Sequence, residues 1–281
     1  LSSCAGNQER KITILHTNDV HSHIESFEMD HDRYPGMGGV ARRANLIQSI
    51  RKENPNTLLF DAGDIFQGTP YFNYFGGELE FKMMSKLGYD AATIGNHDFD
   101  NGIAGLERQL PNAKFDFIVS NYDFSKTIMD GRTDGYKIYE TGGVRVGVFG
   151  LGIQLKGLVD PALYKETKYL DPVEITQDMA RILKEEQNCD LVVALSHLGY
   201  NYKGRPDRIS DLNLAKKTEG VDLIIGGHTH TFLKKPTVVR NVAGKNMLVN
   251  QVGCWGVQVG RIDFEFNSRG KRSDKGTSIV V

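Results

Sequence analysis

The chain has 281 residues, with 34 Lys and Arg against 35 Asp and Glu and a formal net charge of −1, which excludes a nucleic-acid binder driven by bulk positive charge. Charged residues at 25% and hydrophobic residues at 40% are ordinary globular values and exclude a disordered chain. No apolar run approaches the roughly 20 residues needed to span a bilayer. The 31 glycines exceed the usual share of about 7%. Many stand beside Asp, Asn or His, a pattern of tight turns that bring backbone close to a ligand. Three cysteines, Cys4, Cys189 and Cys254, make neither a disulfide scaffold nor a zinc knuckle, and Cys189 and Cys254 read as small buried packing residues.

Taken in chain order, Leu1-Ser2-Ser3-Cys4 resembles the bacterial lipobox, in which the thiol is lipidated. Residues 1–11 are then a lipobox remnant and polar tether. The expectation is an exported lipoprotein of a bacterium, periplasmic or on the cell surface, touching the membrane only through Cys4. Ile12-Thr13-Ile14-Leu15 is a strand running into Thr17-Asn18-Asp19. Residues 39–52 are a helix with Val40, Ala44 and Ile47 on one face, and Arg42 and Arg43 on a solvated face. Residues 57–60 form a strand, 77–87 a helix closed by Gly88, 91–94 a strand, 103–110 a helix and 117–119 a strand. Residues 136–140 and 144–149 form a hairpin around Gly142-Gly143. Asp171-Pro172 opens a helix to 187 with Ile175, Met179, Ile182 and Leu183 on its apolar face. A strand at 191–195, a helix at 207–218, a strand at 221–225 and strands near 237–242, 246–252 and 256–266 complete one α/β domain over 12–266. Residues 267–281 read as a polar, mobile tail. Alternation in the last strand (Val257, Val259, Arg261, Asp263, Glu265) marks a sheet half open to solvent or a partner.

The informative regularity is positional. Five apolar strands run out into short polar segments: Asp19-Val20-His21, Gly63-Asp64, Gly95-Asn96-His97-Asp98, Ser196-His197 and Gly227-His228-Thr229-His230. Ligands of open α/β sheets sit beyond the carboxyl ends of strands, so these segments are candidates for one site. In extended chain, residues i and i+2 point to the same side, which makes Asp19 and His21 one clamp and His228 and His230 another. Asp64 offers two oxygens, Asn96 a neutral carbonyl and His197 an imidazole. Three oxygen and four nitrogen donors are too many for one tetrahedral ion and suit two ions sharing Asp64. Imidazole and carboxylate without thiolate fit Mn, Zn or Fe(II) rather than Mg or Ca. Taken singly, each segment also reads as a satisfied polar turn, but that reading must place five of the eight histidines at strand ends. His16 reads as packed within the first strand, and His23 and His31 as exposed loop residues.

These motifs resemble the calcineurin-like metallophosphoesterases. The longer strings Ile14-Leu15-His16-Thr17-Asn18-Asp19-Val20-His21-Ser22-His23, Asp61-Ala62-Gly63-Asp64 with Gln67-Gly68-Thr69, and Gly95-Asn96-His97-Asp98-Phe99-Asp100-Asn101-Gly102 resemble the 5′-nucleotidase/UDP-sugar hydrolase branch. The resemblance runs from Lys11 to Phe266 and implies a four-layer α/β/β/α sandwich with two divalent metals at the sheet ends. It implies that one ion takes Asp19, His21, Asp64 and His230, and the other Asp64, Asn96, His197 and His228. His97 would face the substrate and Asp100 would orient it. Asp100 also reads as a plain turn residue before Asn101-Gly102. The implied chemistry is hydrolysis of phosphate monoesters, nucleotides above all, by metal-activated hydroxide attacking phosphorus in line, with His97 as proton donor or charge stabiliser. A carboxylate at Asp100 would keep His97 charged near neutrality.

The family's 5′-nucleotidases carry a second domain that stacks the nucleobase and contributes arginines. About 15 residues follow Phe266 here, so no such domain is expected within this sequence. The chain then acts alone with weak substrate binding, or a separate polypeptide completes the site, aided by a shared membrane tether. Competing readings keep the metals but cleave UDP-sugars, other pyrophosphates or cyclic phosphodiesters. A reading of another class is a non-catalytic, metal-containing surface lipoprotein that captures ligands, or one subunit of a two-chain enzyme.

Overall fold

The structure is a computed structural model that describes residues 9–281; Cys4 and the lipobox reading lie outside the described residues. In chain order the elements are β1 (Arg10–Thr17), α1 (Val40–Glu53), β2 (Thr57–Asp61), α2 (Pro70–Phe75), α3 (Glu78–Leu87), β3 (Ala91–Ala92), α4 (Gly102–Gln109), β4 (Asp116–Phe117), β5 (Tyr122–Asp123), β6 (Tyr136–Thr141), β7 (Val144–Leu151), α5 (Pro161–Tyr164), β8 (Lys168–Tyr169), α6 (Pro172–Arg181), β9 (Leu191–Ser196), α7 (Asp211–Lys217), β10 (Leu223–Gly226), β11 (Thr237–Arg240), β12 (Asn246–Asn250), β13 (Gln258–Phe266) and β14 (Arg272–Val280). Among the described residues no helix is long and apolar enough to cross a membrane.

Two six-stranded sheets form, ordered β14-β13-β1-β2-β3-β4 and β11-β12-β10-β9-β7-β6. Their central strands pair in parallel, and strands such as Leu191–Ser196 are buried along their whole length, as parallel strands covered on both faces must be. Ile12, Ile14, Phe60, Val146, Val193, Ile225 and Phe264 fill the space between the sheets. On the outer side of the first sheet, Leu15 and Leu59 pack against Ile47 of α1, Phe81 of α3 and Leu106 of α4. On the outer side of the second, Phe149 and Ile224 pack against Ala180 of α6 and Leu214 of α7. The result is the four-layer α/β/β/α sandwich. Helix starts follow local chemistry. The Asp171 carboxylate accepts the Val173 and Glu174 N–H groups at 2.7 and 3.1 Å, and the Ser210 hydroxyl accepts from Asn213, as N-caps do.

Several expectations need correction. Residues 272–280 are not a tail: β14 pairs antiparallel with β13 over its whole length and forms the sheet edge. Its polar side chains misled because an edge strand keeps one face in water. β13 does present Arg261, Asp263 and Glu265 outward while Ile262, Phe264 and Phe266 are buried. The segment 207–218 is helical only over 211–217, and the helix after Pro172 ends in a π-helical turn at Ile182–Glu186. The buried face of α1 is Arg43, Ile47 and Ile50, so Arg43 is not on a solvated face. Its guanidinium runs beneath Gly256, where any Cβ would overlap it. Burial lowers the Arg43 pKa, against the pull of Tyr89 and Asp61. His16 is packed as expected, its Nε2 2.8 Å from Asn250 Nδ2.

Leu223 in β10 is fully buried between the sheets. Leu223→Ala is expected to cost about 2–5 kcal/mol, read as a lower urea midpoint with an unchanged m-value.

Candidate metal centre

Each polar segment begins where a strand ends. β1 delivers Asp19 and His21, β2 delivers Asp64, β9 delivers His197 and β10 delivers His228 and His230. The backbone there is not extended. Asp19, His21, Asp64, His228 and His230 have φ of 49°, 50°, 56°, 72° and 48°. Left-handed backbone is unfavourable by about 1–2 kcal/mol for a residue with a Cβ, and such conformations persist only where the surroundings over-determine them. Here the Asp19 N–H donates to Gly63 O at 2.9 Å, the His21 N–H to Asp64 O at 3.1 Å and the Trp255 N–H to Asp19 O at 2.7 Å. The donors therefore converge through sharp left-handed turns, and the clamp geometry inferred from extended chain is corrected. Glycine is required twice at the crossing. A Cβ on Gly63, at φ 87°, would lie 2.6 Å from the Gly95 nitrogen, and one on Gly95 would overlap the Asp64 carboxylate.

The turns gather two groups of donors. Asp19, His21 and His230 form one, and Asp64, His197 and His228 the other, with the ligand atoms in each within 4.8 Å of one another. His228 and His230 thus serve different groups instead of one clamp. Asn96 joins the second group, its Oδ1 2.9 Å from His228 Nδ1. Asp64 Oδ2 lies 3.0 Å from His197 Nε2 and 3.9 Å from His21 Nε2, between the two groups. Asp19, His21, Asp64, Asn96 and His197 are buried, whereas His228 and His230 are half-buried.

The donor chemistry fits cations. A carbonyl can only accept, so His197 Nδ1, 2.7 Å from Ala62 O, carries the ring proton. Its Nε2 is buried with no hydrogen-bond partner among the described residues and faces the Asp64 carboxylate. Likewise His21 Nδ1 donates to Phe66 O at 3.1 Å, leaving Nε2 3.1 Å from His230 Nε2. A backbone carbonyl that fixes the tautomer is the usual arrangement for a metal-bound imidazole. Electrostatics agree. Burial opposes charge on His197, yet Asp64 and Asp19 raise its pKa to about 10. Burial also opposes charge on Asp64, yet His197 and His21 hold its carboxyl well below the usual range. Burial lowers the pKa of His21, and that of His228 to about 4, which favours neutral imidazoles with lone pairs free for a cation.

Asp98 stands inside one of the sequence motifs, yet its role is visible only in the fold. Its buried carboxylate accepts the N–H groups of Asp64, Ile65, Phe66 and Gly95 at 3.1, 2.9, 3.1 and 2.8 Å. Burial, with Asp64 next, raises its pKa to about 7. Asp98 thus ties the loop carrying Asp64 to the loop carrying Asn96. Asn18 does the same elsewhere, with Nδ2 2.7 Å from both Asp19 Oδ2 and Gly253 O. The signal was their adjacency to donors, but adjacency does not reveal which backbone a side chain will reach. His97 stands beside the donors. Its N–H donates to Asp64 Oδ1 at 2.8 Å, and its ring centroid is 5.3 Å from that of His21. Its Nδ1 is 2.8 Å from Asp100 Oδ2, and this hydrogen bond is the first cause of its raised pKa.

Comparison with known proteins agrees with this geometry. The family model of the calcineurin-like phosphoesterases matches residues 12–232. The chain belongs to the calcineurin-like phosphoesterase family. These phosphoesterases use two divalent metals, and the two donor groups are able to hold them. The chain is 36% identical to a snake venom 5′-nucleotidase from Gloydius brevicauda, over 96% of this chain and 47% of that protein. It superposes on a 5′-nucleotidase precursor from Thermus thermophilus with a TM-score of 0.85 and 35% identity, over 96% of this chain and 54% of the other. For the NAD nucleotidase of Haemophilus influenzae the TM-score is 0.84 and the identity 26%, over 98% and 57%. This phosphoesterase chain spans about half the length of the curated 5′-nucleotidases it matches.

Adding Mn(II), Zn(II) or Fe(II) to chelator-treated protein is expected to raise the melting temperature by linkage, saturating at two ions per chain by elemental analysis. Asp98→Ala leaves buried N–H groups without an acceptor, each such loss costing about 1–3 kcal/mol. The variant is expected to be less stable to urea and to bind metal substoichiometrically.

Proposed function

We propose that this domain is a metal-dependent phosphoester hydrolase that cleaves phosphate monoesters, nucleoside 5′-monophosphates in particular. One ion is assigned to Asp19, His21, Asp64 and His230, and the other to Asp64, Asn96, His197 and His228. The observation that carries the reading is the Asp100–His97 pair set against the doubled donor site. A ligand-capture protein needs the donors, but it has no use for an imidazole tied at Nδ1 with Nε2 left to exchange a proton.

Two bound divalent ions would supply Lewis-acid polarisation of phosphoryl oxygens and a more acidic water. The chain's own groups do the rest. Asp100 fixes the His97 ring and favours its protonated form. The His97 backbone N–H, donated to Asp64 Oδ1, keeps the ring in register with the carboxylate that lies between the two donor groups. The protonated Nε2 then donates to the leaving ester oxygen, or stabilises charge on the equatorial oxygens. Nucleotides are named because the relatives above are 5′-nucleotidases and a nucleotidase acting on NAD. Export with a lipid anchor at Cys4, and a further polypeptide that supplies nucleoside contacts, belong to the same proposal.

Metal-loaded protein is expected to hydrolyse AMP in preference to UDP-glucose, 2′,3′-cyclic AMP and bis-p-nitrophenyl phosphate. Protein inert toward the whole panel would leave a non-catalytic metal-containing binder. His97→Asn is expected to keep both ions and lose about 10²–10⁴ in kcat. Undiminished turnover in that variant would remove His97 from the chemistry.

A further inference from the structure

The strand ends that point away from the donors form a surface with no part in the chemistry above. β1 runs from Arg10 toward Asp19, and Arg10 pairs with Phe266 at the close of β13. The turn joining β13 to β14 therefore lies at the start of β1. β12 runs parallel to β10, and Arg240 at the end of β11 pairs with Asn246 at the start of β12. The turn joining β11 to β12 therefore lies away from His228 and His230. The two turns share one open groove of about 1410 Å³, lined by Arg240, Val242 and Lys245 from one side and by Lys271 and Arg272 from the other.

Both turns are cationic and built alike. Arg240 and Lys245 flank one, and Arg269 and Lys271 belong to the other; all four are exposed, and none forms an ion pair among the described residues. The connecting residues, Asn241-Val242-Ala243-Gly244 and Asn267-Ser268-Arg269-Gly270, include no carboxylate. Asn241 Oδ1 accepts the N–H groups of Ala243 and Lys245 at 3.0 and 2.9 Å, and Asn267 Oδ1 those of Arg269 and Lys271 at 3.0 and 2.9 Å. The cations thus stand on rigid tips, with Val242 60% exposed beside them. Nearby carboxylates already have partners: Asp222 is 2.7 Å from Lys184 and also bonds Arg272, and Glu265 is 3.0 Å from Lys11. Glu185 and Glu219 line the groove too, but from the segments after α6 and α7. In a chain of formal net charge −1, such tips fit an anionic surface.

Position identifies the occupant. Arg10 lines an adjoining groove with Lys271 and Arg272, and Cys4 is six residues before Arg10. Six residues reach at most about 20 Å, so a lipid on Cys4 would hold this end of the domain at a bilayer. β1 then sets the donors about 25 Å further away. We propose that the turns 241–245 and 267–271 rest on a bilayer bearing anionic phospholipid headgroups, with the metal end facing away from it. The choice of a bilayer rests on the anchor reading of Cys4, and the hydrolase reading plays no part in it.

The full chain without lipid is sedimented with vesicles of phosphatidylcholine alone and with vesicles in which about a third of the lipid is phosphatidylglycerol. Binding to the second, none to the first, and release in high salt are expected. Arg240→Gln with Lys245→Gln, and Arg269→Gln with Lys271→Gln, should each weaken binding about thirtyfold. Lys203→Gln with Arg205→Gln, in the loop after β9 at the metal end, should leave it unchanged. Absent binding, equal binding to both vesicles, or the same loss in all three variants overturns the proposal. Retention on heparin without vesicle binding assigns the turns to a soluble polyanion and overturns it too. Turnover of AMP by metal-loaded chain should be undiminished on the vesicles, and vesicles that bind the chain and block turnover overturn the orientation. Vesicle binding by a protein that hydrolyses nothing keeps the surface and defeats the hydrolase reading. Cys4 found unmodified in the native host by mass spectrometry defeats the anchor, while sedimentation still decides the surface. The comparison of the two vesicles with wild-type chain stands even if a variant fails to fold.

Discussion

The structure is organised around a buried set of groups that cannot be content alone. Asp19 and Asp64 are carboxylates with almost no contact with water, and the Nε2 atoms of His21 and His197 point toward them and toward His230. Oxygen and nitrogen lone pairs packed this closely repel unless a proton or a cation lies between them. Burying ionised groups without a counter-charge is very costly. Two divalent cations relieve that cost, and the family to which the chain belongs uses two.

That demand explains the local backbone. Five donors occupy left-handed conformations, and hydrogen bonds from loops distant in sequence hold these turns in place. Asp98 gathers N–H groups from two loops, Asn18 ties the first turn to Gly253, and Gly63 and Gly95 allow the loops to cross. The sandwich beneath supplies the rigidity. Its parallel strands end on one side, and their side chains are locked between two sheets and two helical layers. A site built on strand ends in this way holds its geometry better than one built on long loops.

The same arrangement extends outward. The Asp19 turn that holds a donor also anchors Trp255, so this indole and the donor site share one backbone. The Asp64 loop bonds His97, and the short turn after Asn96 carries both His97 and its partner Asp100. The donors, His97 and Trp255 are thus placed by the same few turns, and a disturbance in one should be felt in the others.

Much of this was legible in the chain. Apolar runs ending in Asp, Asn and His marked the donors, because a residue type that binds cations is informative wherever it sits. Alternating strands and helices marked the α/β class, because burial on one face or two leaves a period in the sequence. What periodicity could not convey was how polar side chains behave in the tertiary context. Arg43 looked like a solvated residue and is buried under a glycine; residues 272–280 looked like a tail and complete a sheet; His23 and His31 looked exposed and pack among rings. The partition of His228 and His230 between two groups, the reach of Asp98 into four N–H groups and the seat of Trp255 are likewise tertiary. The chain by itself determined which chemical groups were available and which strands would carry them. Only folding decided which groups meet, because a contact across some two hundred residues depends on the packing of sheets and the handedness of turns, and neither leaves a local trace.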